Sequence, residues 1–237
     1  MPATKLTILS TLAVMAVLRD ALPRHEAATG HGITAEYGPT NALLERIAAG
    51  ATADLAILTA AAIEDLTASG TLAAGTQVDL VRSTVGVAVR QGAPRPDIGS
   101  VEAVRRLLLE APSLCYSRAG ASGVFFAGLL DRLGLAAAVA AKAVVIPQGL
   151  TGELLARGEV AVAVQQMSEL LAVPGIQVVG PLPAEIGSVT VFSGAVFAAS
   201  TARPAAGTLL RALADPALAA SYAARGLELM GPVAGAD

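Results

Sequence analysis

Leu114-Cys115-Tyr116-Ser117-Arg118-Ala119-Gly120-Ala121-Ser122-Gly123-Val124-Phe125-Phe126-Ala127-Gly128-Leu129-Leu130-Asp131-Arg132-Leu133-Gly134 reads as the end of a buried strand, a small polar loop and the start of an amphipathic helix. Ser122 and Gly123 stand where the helix should begin. A helix start carries unpaired backbone N–H groups and the positive end of the macrodipole, and small residues there let an anion approach. Ser117 and Ser122 add hydroxyls, and Arg118 adds a fixed positive charge. The plainer reading is Ser122 as the N-cap of an ordinary strand–loop–helix, and the rest of the chain has to decide between the two.

Outward from this stretch the same unit recurs. Toward the N-terminus the pattern gives strands near Leu6–Leu9, Ile33–Tyr37 and Asp54–Leu58. The helices that follow them run to about Thr29, over Ala42–Ala49 and over Ala60–Ser69. Ser100 can cap a helix Val101–Glu110. Toward the C-terminus come strands Ala143–Ile146, Val160–Val164 and Gln177–Val179, with helices Gly149–Arg157 and Gln166–Leu171 between them. The tail is helical over Ala205–Ala214 and Pro216–Gly226. Strands alternating with helices imply parallel α/β layers. Two long β-rich runs, Val78–Arg90 and Val189–Ala199, split the alternation into an outer and an inner part. The fold expected is therefore α/β with two lobes, each a mainly parallel sheet flanked by helices, joined by two crossing hinge strands. The lobes are expected at 1–82 plus 195–237 and at 83–194.

Polar residues cluster where strands give way to helices: Ser10-Thr11, Thr40-Asn41, Thr59, Ser117 with Ser122, and Gln148, while Gln165-Gln166 overlaps a strand end. In open α/β sheets ligands sit beyond the carboxyl ends of the strands. Each residue alone fits an N-cap; their recurrence in both halves points to a binding cleft. Arg82, in the first long β run, either faces solvent or reaches the cleft to clamp a carboxylate bidentately. Tyr116 is either structural or a cleft hydroxyl. Glu169 is either a first-turn helix acid or a cleft carboxylate.

Composition removes several classes. Of 237 residues 54% are hydrophobic and 15% charged, the net charge is −3, and no basic run appears, which argues against nucleic acid as a partner. No apolar run approaches the roughly 18 uncharged residues of a membrane span. The one cysteine, Cys115, excludes an internal disulfide and reads as a packed thiol. There is no Gly-x-Ser-x-Gly elbow, phosphate loop, dinucleotide fingerprint or His-Glu-x-x-His, and His25 and His31 read as surface residues beside a helix end. No cofactor and no metal are expected. Lys5 and the apolar run Leu6–Leu18 imitate a signal peptide, but Arg19, Asp20, Arg24, His25 and Glu26 follow with no small-x-small cleavage site. The location expected is cytoplasmic as the sequence stands, or periplasmic if it represents a mature form.

Laid out this way, the chain resembles the molybdate-type family of periplasmic solute-binding proteins, with its two-lobed type II fold, from Leu6 to about Leu229. Ser10-Thr11-Leu12 resembles the family's Ser-Leu-Thr after the first strand. Tyr37-Gly38-Pro39-Thr40-Asn41-Ala42-Leu43 resembles its Gly-Gly-Ser-Ser-Ala-Leu anion loop, and Ala53-Asp54-Leu55 its Ala-Asp-Val. Ala121-Ser122-Gly123-Val124 resembles the Pro-Ala-Gly-Ile/Val of the second lobe's anion-binding helix. Leu150 falls where a backbone N–H meets the oxyanion in the family. Two departures stand out: Gln165 replaces the family's second-lobe tyrosine, and Thr40-Asn41 replaces its serine pair. Gln165–Leu170 and Val179–Glu185 are similar to a subgroup of uncertain ligand. Aconitate isomerases are similar to the same broad family.

Two functions follow as expectations. The first is a solute-binding protein that closes two lobes over a small anion, an organic carboxylate or oxyanion. Ser10, Thr11, Thr40, Asn41, Thr59 and Arg82 would serve from one lobe. Ser117, Ser122, Gly123, Gln148, Leu150, Gln165 and Gln166 would serve from the other. The alternative is an isomerase of the aconitate isomerase type, moving a proton on a tricarboxylate, with Tyr116, Glu169 or Glu36 as base. The partners expected are the small anion and, if the protein is exported, an ABC transporter permease; no membrane insertion is expected, and the protein is expected to be a monomer.

Overall fold

A computed structural model describes residues 4–231. The chain divides into two units, with boundaries between Arg82 and Ser83 and between Val189 and Thr190. It runs through unit 1 as β1 (Lys5–Thr11), a 3₁₀ turn (Leu12–Val14), α1 (Met15–Thr29), β2 (Gly32–Gly38), α2 (Thr40–Ala48), β3 (Leu55–Thr59) and α3 (Ala60–Ala68). It passes into unit 2 within β4 (Val78–Arg90) and continues as α4 (Val101–Glu110), β5 (Leu114–Ser117), α5 (Ala121–Arg132), α6 (Ala136–Ala140) and β6 (Ala143–Ile146). Next come α7 (Thr151–Ala156), β7 (Val162–Gln166), α8 (Met167–Leu171) and β8 (Ile176–Pro181). It returns through β9 (Val189–Val196) to α9 (Arg203–Leu213), a 3₁₀ turn (Pro216–Leu218), α10 (Ala219–Ala223) and β10 (Glu228–Leu229).

Unit 1 has β2, β1 and β3 side by side and parallel, with β9 antiparallel on β3. Pairing of Phe192–Val196 with Leu55–Thr59 ties that stretch to unit 1, so the return falls at 189/190, where the sequence reading has 194/195. Leu55, Ala56, Ile57 and Leu58 are all fully buried, because helices cover both faces of a parallel sheet and erase the in–out alternation. The main core joins Leu6, Ile8, Val17, Leu55, Ile57, Phe192, Leu209 and Tyr222. Tyr222 satisfies its buried hydroxyl by donating to the carbonyl of Leu213 at 3.0 Å. Asp54 fastens the sheet edge: Oδ2 accepts from Thr7 N and Oγ1, at 2.8 and 3.0 Å, and Oδ1 accepts from Ser200 Oγ at 2.6 Å.

Unit 2 repeats the plan with β6, β5 and β7 parallel and with β4 antiparallel to both β7 and β8. Its core joins Val85, Val87, Val104, Leu114, Phe126, Leu129, Val162 and Val164. Gly123 explains how closely α5 docks on β5: a Cβ there would lie 1.6 Å from the Ser117 carbonyl oxygen. Only glycine fits such an approach.

Several boundaries differ from the sequence reading, each for a local reason. Ser10 and Thr11 continue the strand beyond Leu9, since β1 keeps pairing with β2 through Ser10↔Tyr37 and Thr11↔Gly38. α2 starts at Thr40, two residues early, because Pro39 takes the N-cap with φ −60 and ψ 144, close to the angles an N-cap needs. Ser122 is the second helical residue of α5 rather than its cap, which is Gly120. β7 extends to Gln166, so both glutamines are strand residues. The alanine-rich α6 was not expected; Leu135 and Val139, both buried, draw it onto the core.

Candidate functional site

In unit 1 the parallel register brings the carboxyl ends of β2, β1 and β3 to one edge, with Ser10 beside Tyr37 on one side and Ile57 on the other. Ser10 is fully buried and donates its hydroxyl to the Thr11 carbonyl at 3.1 Å. Thr11 Oγ1 accepts from Ala13 N at 3.5 Å and so caps the 3₁₀ turn. Thr59 caps α3 with its backbone alone, its side chain making no capping hydrogen bond. Asn41 is exposed in the first turn of α2. Thr40 stands apart: it opens α2, is 5% exposed, and its Oγ1 is buried with no hydrogen-bond partner among the described residues. A buried hydroxyl without a partner is uncommon and calls for an explanation.

Arg82 has a bidentate carboxylate partner, but it is one of the chain's own. Its Nε and Nη2 donate to Glu228 at 2.8 and 2.5 Å, across the antiparallel pair of β4 and β10. The clamp on a bound carboxylate that the sequence allowed is therefore taken up inside unit 1.

In unit 2, β5 ends at Ser117, whose Oγ accepts from Gly120 N at 2.8 Å and shapes the turn into α5. The N–H groups of Gly123 and Val124 both go to the Gly120 carbonyl at 3.0 Å. Those of Ala121 and Ser122 lie in the first turn, where a helix supplies no acceptor. Ser122 and Gly123 are buried, and Arg118 is exposed. Gln148 is exposed before α7, and Leu150 is the N-cap of α7.

Gln165 is 1% exposed and used from within unit 2: Oε1 accepts from Thr151 N and Thr151 Oγ1, both at 2.8 Å, while Nε2 donates to the Gly149 carbonyl at 3.1 Å. Gln166 caps α8 in a capping box, with Glu169 Oε2 accepting from Gln166 N at 3.3 Å. Glu169 is 6% exposed, and burial pushes its carboxyl up to about 7, against the hydrogen bonds from Gln166 N and the Gln165 side chain that favour the charged form. The neighbouring Ser168 hydroxyl is buried without a partner among the described residues.

Thr151, Ser168 and Glu169 thus join the polar end of unit 2, and the first two were not singled out by the sequence reading. The signal available was Gln166 followed three residues later by Glu169, a capping-box spacing directly after a strand. The other groups weighed as a base are engaged elsewhere. Glu36 is exposed and paired with Arg46 at 2.6 Å, and Tyr116 packs edge-on against Phe126 with centroids 5.3 Å apart. Cys115 donates to the Thr151 carbonyl at 3.4 Å, and burial raises its thiol to about 12, which keeps it protonated. His25 is half-buried, and burial, with the positive charge of His31, lowers its pKa. Among the described residues no cluster of three or more His, Cys, Asp or Glu is placed to share a metal ion. Nor is any helix among them long and apolar enough to cross a membrane.

Comparison with known proteins places this geometry among relatives. The sequence model of a family described as bacterial extracellular solute-binding protein matches residues 6–228. A relative from Pseudomonas sp, named aconitate isomerase, is 38% identical over 233 residues, covering 96% of this chain and 88% of its own length. The Azotobacter vinelandii periplasmic molybdate-binding protein superposes with a TM-score of 0.79 at 16% identity, over 95% of this chain and 99% of that one. The Mycobacterium tuberculosis H37Rv sulfate-binding protein SubI superposes with a TM-score of 0.73 at 20% identity, over 98% and 88% of the two chains. At those identities the two structures speak for the fold.

Proposed function

The chain belongs to the bacterial extracellular solute-binding protein family, and from that premise we propose that it binds a small anion, an organic carboxylate ahead of a metal oxyanion. The observation that carries the reading is Thr40: a hydroxyl buried at the start of a nine-residue helix, beyond parallel strand ends, with no partner among the described residues. A ligand oxygen supplies the missing partner, and the first-turn N–H groups of α2 favour negative charge there. The ligand groups proposed are Ser10, Thr11, Thr40, Asn41 and Thr59 in unit 1. In unit 2 they are Ser117, Ser122, Gly123, Gln148, Leu150 and Gln166. Gln165 and Arg82 are left out, because Thr151 with Gly149 and Glu228 respectively occupy them. An organic carboxylate is preferred because the likeness to the relative named aconitate isomerase is far closer in sequence than the likenesses to oxyanion-binding structures.

A thermal-shift screen against molybdate, sulfate, citrate, cis-aconitate and trans-aconitate tests this reading. A ligand at a hundred times its dissociation constant adds about 2.7 kcal/mol of stability. The largest shift is expected from a carboxylate; no shift from any of the five contradicts the proposal.

A second reading is an allylic proton shift on a bound tricarboxylate. One proton leaves a methylene carbon, the double bond moves, and a proton returns at the far carbon, with no other reactant consumed. Two observations favour it: the near-full-length likeness already reported, and the carboxyl of Glu169, held by burial where it gains and loses a proton near neutral pH. Following cis- and trans-aconitate by NMR with the protein present separates the readings: interconversion supports the shift, and an unchanged mixture that still binds leaves binding alone.

A further inference from the structure

We infer that Arg118 is a specificity-determining residue: its guanidinium pairs with a second carboxylate on a ligand whose first carboxylate is held at the start of α5, so that the ligand is a di- or tricarboxylate. This rests on the proposed reading in one respect, that an anion is held by Ser117 and Ser122.

Ser117 and Ser122 close on one backbone position. A Cβ added at Gly120 would lie 2.6 Å from Ser117 Oγ and 3.9 Å from Ser122 Oγ. Ser117 Oγ accepts from Gly120 N at 2.8 Å, and its own hydrogen finds no acceptor among the described residues. Ser122 is 2% exposed, and its side chain makes no hydrogen bond among the described residues. The N–H groups of Ala121 and Ser122, in the first turn, have no acceptor there either. The start of α5 therefore offers two hydroxyls and two N–H groups, all able to donate. No acid occurs between Glu110 and Asp131, and none in β6 or in residues 147–150. An ionised carboxylate accepts at two oxygens, with about four lone-pair sites. One carboxylate is thus satisfied at this helix start without any formal positive charge.

The formal charge comes from the next residue along. Arg118 N donates to the Ile146 carbonyl at 2.7 Å, which carries the β5–β6 alignment one step past Ser117↔Ile146. Arg118 therefore leaves the carboxyl end of the sheet directly after Ser117 and two residues before Gly120. Its side chain is exposed and has no hydrogen bond or ion pair among the described residues. The other arginines of unit 2 are engaged or distant. Arg95 and Arg105 bond backbone carbonyls, Arg106 and Arg157 pair with Asp97 and Glu159, and Arg132 lies over Phe125. Arg90 follows Val89↔Val162 and so stands at the amino end of β7, the opposite edge. Arg118 is left as the arginine of unit 2 with a free planar fork at the carboxyl ends of the strands. Such a fork matches a carboxylate bidentately. A monocarboxylate filling the helix start leaves it bare; a second carboxylate on the same ligand covers it.

Calorimetry on the full chain and on Arg118→Gln and Arg118→Lys tests this, with trans-aconitate, crotonate and sulfate as probes. The parent is expected to bind trans-aconitate at least tenfold more tightly than crotonate or sulfate. Arg118→Gln is expected to lose about tenfold to a hundredfold in trans-aconitate affinity, the worth of hydrogen bonds to a charged group. Its affinity for crotonate and sulfate is expected to change less than twofold. Arg118→Lys should recover part of the loss, since an ammonium keeps the charge without the fork. Arg118 makes no side-chain contact that folding needs, and an unchanged thermal midpoint checks that the variants fold. Trans-aconitate binding untouched in Arg118→Gln overturns the inference and leaves the anion-binding reading standing. Equal losses for all the probes mark a structural effect and also overturn it, as does a parent that binds crotonate or sulfate as tightly as trans-aconitate. A parent that binds none of the three contradicts the anion-binding reading itself, and the inference falls with it.

Discussion

Thr151 gives both its backbone N–H and its hydroxyl to the side-chain oxygen of Gln165, each at 2.8 Å and both buried. The two residues join the start of α7 to the end of β7. Replacing Gln165 by Leu keeps the bulk but strands Thr151 N–H, Thr151 O–H and the Gly149 carbonyl. Each buried group left without a partner costs about 1–3 kcal/mol, and relaxation offsets part of the sum. Gln165→Leu is expected to lower stability by about 3 kcal/mol, read from the urea midpoint at an unchanged slope.

The contact of α5 with β5 leaves even less freedom. Gly123→Ala places a methyl carbon 1.6 Å from the Ser117 carbonyl oxygen, so helix and strand must separate. The variant is expected to lose about 4 kcal/mol or more in chemical denaturation. Ala127→Gly, later on the same helix, is expected to lose only about 1 kcal/mol.

At Thr40 stability and binding should part company. The hydroxyl has no partner among the described residues, so Thr40→Val removes an unsatisfied group at nearly constant shape. The variant is expected to be as stable as the parent or up to about 1 kcal/mol more so, while its affinity for the anion falls about tenfold, the worth of one hydrogen bond to a charged group. Equal affinity in parent and variant would remove Thr40 from the site.

Glu169 makes stability depend on pH. Its folded pKa, about 7, lies above the ordinary value of 4.5. Between those values the folded protein keeps a proton that the unfolded chain has released, so stability falls as pH rises through the window. The full effect is about 3 kcal/mol. Denaturation at pH 4.5, 6 and 8 should show this decline in the parent and its absence in Glu169→Gln.

Much of the fold was legible in the sequence because parallel strands read as short apolar runs and each helix follows one. β4, α4 and β6 fall at the bounds their patterns give. What escaped was set by partners rather than by local pattern. Ser10 and Thr11 remain strand because β2 runs alongside them, and Pro39 takes a cap that the pattern assigns to Thr40 or Asn41. The strand at Glu228 is two residues long and owes its place to β4. The same holds for side chains. Glu228, far along the chain, holds Arg82, and Gln165 depends on Thr151 in a neighbouring element. Spacing along the chain marks which residues are polar at strand ends; it does not say which of them are already paired within the protein.

The central claim is that a small anion binds with Thr40 among its partners, and calorimetric titration of trans-aconitate, with molybdate alongside, tests it most directly. Saturable one-to-one binding of trans-aconitate, tighter than that of molybdate and weakened in Thr40→Val, is the result expected. Absence of heat from both anions, or binding untouched by Thr40→Val, would contradict it.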